Sequence, residues 1–181
     1  MNLTFKIFGI DPGTNTGISI YELDENFNII SLETINVDLN IFVDNDSNGL
    51  LKDADRYLAL HNLLDDLLTI HKPKAIAIES AFIKKSFMGA GMKVAGYVAI
   101  VMLAIKKFDK DIVICKLAPK SVKKFMGDGD ANKDKMKEML GDEVVDLVDM
   151  SLQTEHTIDA ISIGLNLIKI IKTSPYILKS V

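Results

Sequence analysis

The chain opens with short apolar runs punctuated by turn residues, and only later does its pattern take on a helical period. Phe5 to Asp11 (FKIFGID) is a run of strand type ending in an acid, followed by a tight Pro12-Gly13 turn. Gly17 to Leu23 (GISIYEL) predicts a second strand and Asn28 to Val37 a third, so the first 37 residues form an antiparallel meander. Residues 38–53 are polar and lack periodicity, which predicts a loop or insertion. From Asp55 to His71 the leucines at 58, 60, 63, 64, 67 and 68 fall at helical spacing, and Pro73 ends that helix. Lys74 to Glu79 (KAIAIE) predicts a fourth strand, again closing on an acid. A long helix over Phe87–Lys107, a fifth strand over Ile112–Lys116 and two short helices (Ala118–Met126 and Asn132–Leu140) come next. An amphipathic helix over His156–Thr173 closes the pattern. A meander followed by alternating helices and strands predicts an α/β fold, with a mixed five-stranded sheet flanked by helices. No repeat or low-complexity segment interrupts it, so residues 1–181 read as a single domain with a polar insertion at 38–53.

Composition narrows the setting. Of 181 residues, 48% are hydrophobic and 25% charged, a globular balance that argues against disorder. Cys115 is the single cysteine, which excludes an intrachain disulfide and a Cys-rich zinc site and suits a reducing cytoplasm. The opening residues show no basic stretch ahead of a long apolar core, so no secretory signal is expected. The longest uncharged apolar stretch, Val94 to Ile105, falls short of the roughly 20 residues that span a bilayer, and no membrane partner is expected. The net charge of −4 hides an asymmetry. Residues 84–137 carry 13 lysines against 5 aspartates, a net +8, while the rest of the chain holds 8 basic against 20 acidic residues, a net −12. Such a division suits a polyanion-binding face on an acidic body, although a lysine-rich solvated surface would look the same. Arg56 is the only arginine. Lysine acts on phosphate as a point charge whereas arginine reads guanine in bidentate fashion, so backbone tracking is expected rather than elaborate base readout.

Two acids, Asp11 and Glu79, close predicted strands, and in sheets with parallel strands ligands and chemistry gather at the carboxyl ends. An acid ending a buried strand is costly unless it is exposed or bound to a cation. Asp159 is a third candidate, on the closing helix, and His156 lies three residues before it on the same helical face. Two or three carboxylates suffice for a hard cation such as Mg²⁺, which keeps several of its waters. Two such ions about 3.5–4 Å apart can activate a water and stabilise the leaving oxygen of a phosphodiester. A histidine ligand would tilt the site toward Mn²⁺, or His156 would carry a proton instead. Ordinary roles remain open for each acid: Asp11 capping the Pro-Gly turn, Asp159 pairing with Lys169, Glu79 in a rim salt bridge.

Four segments together resemble one family. Gly9-Ile10-Asp11-Pro12-Gly13-Thr14 with Thr16-Gly17 is the first, and Ile78-Glu79-Ser80-Ala81-Phe82 the second. The third runs from Leu117-Ala118-Pro119-Lys120-Ser121-Val122-Lys123-Lys124 through Gly127-Asp128-Gly129-Asp130-Ala131-Asn132-Lys133. The fourth is His156-Thr157-Ile158-Asp159-Ala160-Ile161-Ser162. In this order and spacing they resemble the RuvC family of Holliday junction resolvases over most of the chain. The resemblance implies an RNase H-like fold, a homodimer, and paired nicking of four-way and other branched DNA with Mg²⁺, for which Mn²⁺ substitutes, at two ions per site. It implies that Asp11, Glu79 and Asp159 bind metal and catalyse. His156 would be the fourth member, at a position that family members fill with Asp or His, and Glu155 is the alternative ligand. Phe82 matches an aromatic that stacks on bases at the junction centre, and Lys123 and Lys133 match basic residues near the scissile phosphate. Lys84, Lys85, Lys120 and Lys124 would add phosphate contacts.

The small residues Gly89, Gly91, Ala95, Gly96 and Ala99 in the 88–105 helix would let two copies approach closely, where composition alone would equally make it a core helix. The acidic 38–53 segment and near-absence of arginine depart from a typical bacterial member and suggest a divergent one, acting in a bacterial cell or a phage-infected host. Three rival readings are a junction-binding protein of this fold without turnover, a nuclease of related fold acting on an RNA–DNA hybrid or a flap, and an actin-like ATPase or kinase fragment whose phosphate loop would be Gly9–Gly17.

Overall fold

The computed structural model describes residues 3–81, 88–125 and 133–178, apart from the side chains of residues 88, 90, 125, 133, 134, 141 and 142. Its sheet holds five strands: β1 (Phe5–Asp11), β2 (Asn15–Leu23), β3 (Ile29–Asp38), β4 (Ala75–Glu79) and β5 (Val113–Leu117). Their order is β3-β2-β1-β4-β5. The first three form the antiparallel meander, and β4 and β5 add to β1 in parallel. Helices α1 (Gly49–His71), α2 (Met88–Phe108), α3 (Pro119–Phe125), α4 (Lys133–Val144) and α5 (Glu155–Thr173) cover it.

The centre of the sheet is buried on both faces, which is why residues 7–10 of β1 and 75–78 of β4 carry no polar side chain and do not alternate. Residues of one parity (Phe8, Ile10, Ile18, Ile20, Ile76 and Ile78) pack against the buried leucines of α1 and against Tyr97, Val101 and Ile105 of α2. Those of the other parity (Ile7, Tyr21, Ala75 and Ala77) pack on Ile161, Ile168 and their neighbours in α5, with Leu140 of α4 beside them. Helix α1 buries Leu60, Leu64, Leu67 and Leu68, one apolar stripe, and stops where Lys72 turns left-handed at φ 46° ahead of Pro73.

The 38–53 segment is more ordered than its polarity suggests. Strand β3 runs to Asp38, whose carboxylate accepts from the Asn40 amide and caps a 3-10 turn over Leu39–Phe42. Leu39 is fully buried against the α1–α2 core. Helix α1 starts at Gly49 instead of Asp55. Its added turn carries exposed Leu50 and Leu51, so no buried stripe marks it in the sequence. Arg56, the lone arginine, is held by Asp53 at 2.7 Å and Asn40 at 2.9 Å within this segment.

Helix α5 lies unusually close to β1 and β2. A Cβ on Gly9 would strike the Ala160 carbonyl, and one on Gly17 would strike the His156 carbonyl. Ser19 Oγ donates to the Ala160 carbonyl at 2.7 Å, and Tyr21 Oη donates to the Ile161 carbonyl at 2.8 Å, both in the core. Two glycines remove bulk and two hydroxyls supply anchors, which fixes how far α5 slides along the sheet. Gly17 stands directly across from Asp11 in the β1–β2 ladder, so the start of α5 passes over it and lands beside that acid. Because the obstruction at Gly17 is backbone, Gly17→Ala is expected to cost roughly 2–3 kcal/mol, lowering the melting temperature by about 5–10 °C. An unchanged melting curve would contradict this close approach.

Candidate active site

Asp11 and Glu79 end the two central parallel strands. The β1–β4 register aligns Ile10 with Ile78, so the two acids follow as neighbours at the carboxyl edge. Strand parity gives each the direction of Ile7 and Ala77, toward the α5 layer. That layer brings Asp159 and His156 from the first turns of α5, whose start is capped by Thr154 Oγ1 accepting from the Thr157 amide at 3.2 Å. The Nδ1 atom of His156 lies 3.1 Å from Asp11 Oδ2, and its Nε2 lies 3.5 Å from Glu155 Oε1. One imidazole therefore bridges the strand-end carboxylate and the exposed Glu155.

The electrostatics tie the three acids together. Burial, then the negative charges of Asp11 and Asp159, push the Glu79 carboxyl up to about 8, while the Lys123 ammonium pulls it back. A carboxylate in a half-buried cluster with two others resists ionisation, because removing water and adding like charge both favour the neutral form. Among the described residues no three Asp, Glu, His or Cys side chains stand in position to hold a metal ion. The donor chemistry nevertheless fits a hard divalent cation. It consists of carboxylate oxygens with one imidazole, and the charge that destabilises ionised Glu79 is the charge a cation would neutralise.

Other groups share two of the ordinary roles considered for these acids. The Pro12-Gly13 turn is closed by Thr16, whose Oγ1 donates to the Gly13 carbonyl at 2.7 Å. Lys169 pairs with Glu143 at 2.8 Å. Lys123, half-buried on α3, stands near enough to act on Glu79, whereas Lys120 and Lys124 on the same helix are exposed. Lys133 opens α4. Phe82, Lys84 and Lys85 lie outside the described residues, as does the Lys133 side chain. In α2 the small residues are not all free for a partner: Gly96 admits the Tyr57 ring of α1 from the same chain, and Gly91 is buried. The exposed positions of that helix include Met92, Ala99 and Leu103. The anchors Ser19 and Tyr21 escaped the sequence reading. Their signal is two hydroxyl residues of one parity in a strand whose other parity is isoleucine.

The family model for crossover junction endodeoxyribonuclease RuvC matches residues 7–166, a span that holds all four site residues. The chain belongs to the RuvC family. A crossover junction endodeoxyribonuclease RuvC from Rhizobium etli is 30% identical over 143 residues, covering 77% of each chain. Two solved structures share the fold. Thermus thermophilus RuvC in complex with a Holliday junction substrate superposes with a TM-score of 0.63 at 18% identity, over 89% of this chain and 90% of that one. The yeast mitochondrial Holliday junction resolvase Ydc2 does so with a TM-score of 0.65 at 13% identity, over 97% and 86%. The RuvC fold is thus the mixed five-stranded, helix-flanked α/β arrangement that the sequence pattern predicts. As a RuvC member the chain is an endodeoxyribonuclease of the class that resolves Holliday junctions, and the family's chemistry depends on metal. The reading as an actin-like ATPase fragment is not favoured. Among the described residues no helix is long and apolar enough to cross a membrane.

Proposed function

We propose that this RuvC member is a cytoplasmic homodimer that nicks four-way DNA junctions symmetrically, with Asp11, Glu79, Asp159 and His156 holding two Mg²⁺ ions in each subunit. The supporting observation is the convergence of two strand-end acids and the start of α5, with Glu79 electrostatically coupled to both Asp11 and Asp159. Bound there, the ions would supply a hydroxide-like water and charge stabilisation for the departing 3′ oxygen. The residues of the chain do the rest. Asp11 and Glu79 are fixed by the sheet and Asp159 by the glycine-lined contact of α5. The hydrogen bond to Asp11 orients His156 as a ligand or as a carrier of the product proton. Lys123, already a neighbour of Glu79, offers its ammonium to the scissile phosphate. Lys133 is assigned the same task from the opening of α4.

Lys84, Lys85, Lys120 and Lys124 neutralise flanking phosphates, so affinity should fall steeply with salt. Phe82 stacks on an unpaired base at the crossover, and Phe82→Ala is expected to slow cleavage about tenfold or more, in line with roughly 1–3 kcal/mol per stacked base. Unchanged single-turnover kinetics would remove that role. A dimer suits a substrate with two-fold symmetry that needs two cuts, and exposed Met92, Ala99 and Leu103 on α2 give it an apolar seam. Residues 1–181 act as one nuclease domain in this scheme, with 38–53 as an added, anchored segment.

Counting bound Mn²⁺ by the loss of its free-ion EPR signal tests the metal assignment. Two ions per chain are expected for the wild type and one or none for Glu79→Gln. Equal binding by both proteins would contradict the assignment.

A further inference from the structure

A hydroxyl pair ties the turn that follows Asp11 to α2. Tyr97 Oη lies 3.2 Å from Thr14 Oγ1, and the Tyr97 side chain is otherwise sealed in the α1–α2 core at 2% exposure. The Thr14 carbonyl accepts from the Leu39 amide at 2.8 Å, and Thr16 bonds back to Gly13, so the turn is held from the 3-10 turn after β3, from within and from α2. Tyr57 stacks edge-on against Tyr97 with ring centroids 5.0 Å apart, and Gly96 leaves the space that Tyr57 occupies. A column thus runs from α1 through Tyr57 and Tyr97 to Thr14, three residues beyond Asp11.

A phenylalanine would fill the same core volume, so the phenol oxygen serves the hydroxyl it meets rather than packing. We infer that Tyr97 is a positioning residue for the metal site, holding the Asp11-Pro12-Gly13-Thr14 turn through Thr14. Each alternative for the tyrosine column has a different consequence. A packing role would show as lost stability alone, whereas a positioning role reaches the metal dependence of the reaction. Helix α2 is also the proposed subunit seam, so the same bond ties that seam to Asp11. This inference rests on the metal-dependent reading of the site given above.

The test compares Tyr97→Phe, Thr14→Val, their double variant and Thr14→Ser in single-turnover cleavage of a labelled four-way junction across a Mg²⁺ titration. Tyr97→Phe and Thr14→Val are each expected to slow cleavage about tenfold at limiting Mg²⁺ and to raise the half-saturating Mg²⁺ severalfold, because a misplaced ligand weakens both binding and alignment. Junction affinity measured without metal should stay unchanged. The double variant should be no worse than either single one, since both remove the same bond. Thr14→Ser, which keeps the hydroxyl, should restore the wild-type profile. A Tyr97→Phe protein with wild-type rate and Mg²⁺ midpoint would overturn the inference, as would a double-variant loss equal to the product of the single losses. A wild type that cuts no junction in any metal would instead overturn the functional reading itself, and the inference with it.

Discussion

Asp11→Asn should bind a four-way junction with wild-type affinity and cut it at least about a thousandfold more slowly, a loss of roughly 4 kcal/mol in transition-state stabilisation. The asymmetry follows from where Asp11 stands. It closes β1 at the carboxyl edge, accepts the His156 Nδ1 hydrogen bond, and adds to the field that keeps Glu79 from ionising. Asparagine keeps the volume and one oxygen but removes the charge, so the fold and the lysine surface should survive while a bound cation would lose the ligand proposed for it. Gel-shift affinity in EDTA and single-turnover rate in Mg²⁺ separate the two effects. A variant that cuts at the normal rate would show that Asp11 is not a ligand, and one that no longer binds DNA would give it a structural task instead.

Glu79→Gln should separate stability from activity in the opposite direction. The Glu79 carboxyl has an ordinary value of 4.5 and stands at about 8 in the folded chain. Below 4.5 it is protonated in both folded and unfolded states. As pH rises toward about 8, the unfolded chain releases this proton freely while the folded chain retains it, so metal-free stability falls with pH across that window. At about 1.4 kcal/mol per unit, and with a discount for the part of the side chain that water still screens, the loss is on the order of 2–3 kcal/mol. The metal-free wild type should therefore melt several degrees lower at pH 8 than at pH 5, and Mg²⁺ should recover the difference by favouring the ionised form. Glutamine cannot ionise, so Glu79→Gln should add no such slope, gain little from Mg²⁺ and melt above the metal-free wild type at pH 8. Its cleavage should be lost as completely as that of Asp11→Asn. Parallel pH profiles for the two proteins would mean that Glu79 is solvated as an ordinary surface acid.

The candidate site residues lay close to the surface of the sequence, while their placement in the fold did not. Asp11 and Glu79 each close an apolar run of strand length, and such a run already puts its closing acid at the end of a strand. Asp159 and His156 could be paired by helical spacing, but nothing in α5 alone says how far along the sheet it sits. That distance is set by Gly9 and Gly17, where backbone meets backbone, and by Ser19 and Tyr21, whose hydroxyls reach carbonyls of a helix about 140 positions later. Long-range fits of this kind leave no periodic trace. The start of α1 was hidden for a local reason, since Leu50 and Leu51 point to solvent and contribute nothing to the buried stripe. In α2 the small residues suggested a partner surface, yet Gly96 is occupied by Tyr57 of the same chain. A stripe of small residues records close approach without saying which neighbour makes it.

Junction specificity and metal chemistry meet in one assay. A synthetic four-way junction labelled on each strand in turn is incubated beside a linear duplex of the same sequence with Mg²⁺, Mn²⁺ or EDTA. Paired nicks at symmetry-related positions in opposite strands, dependent on metal and absent from the duplex, are expected from a dimer carrying the Asp11, Glu79, Asp159 and His156 site in each subunit. Binding of the junction without nicks in either metal, or equal cutting of junction and duplex, would contradict it.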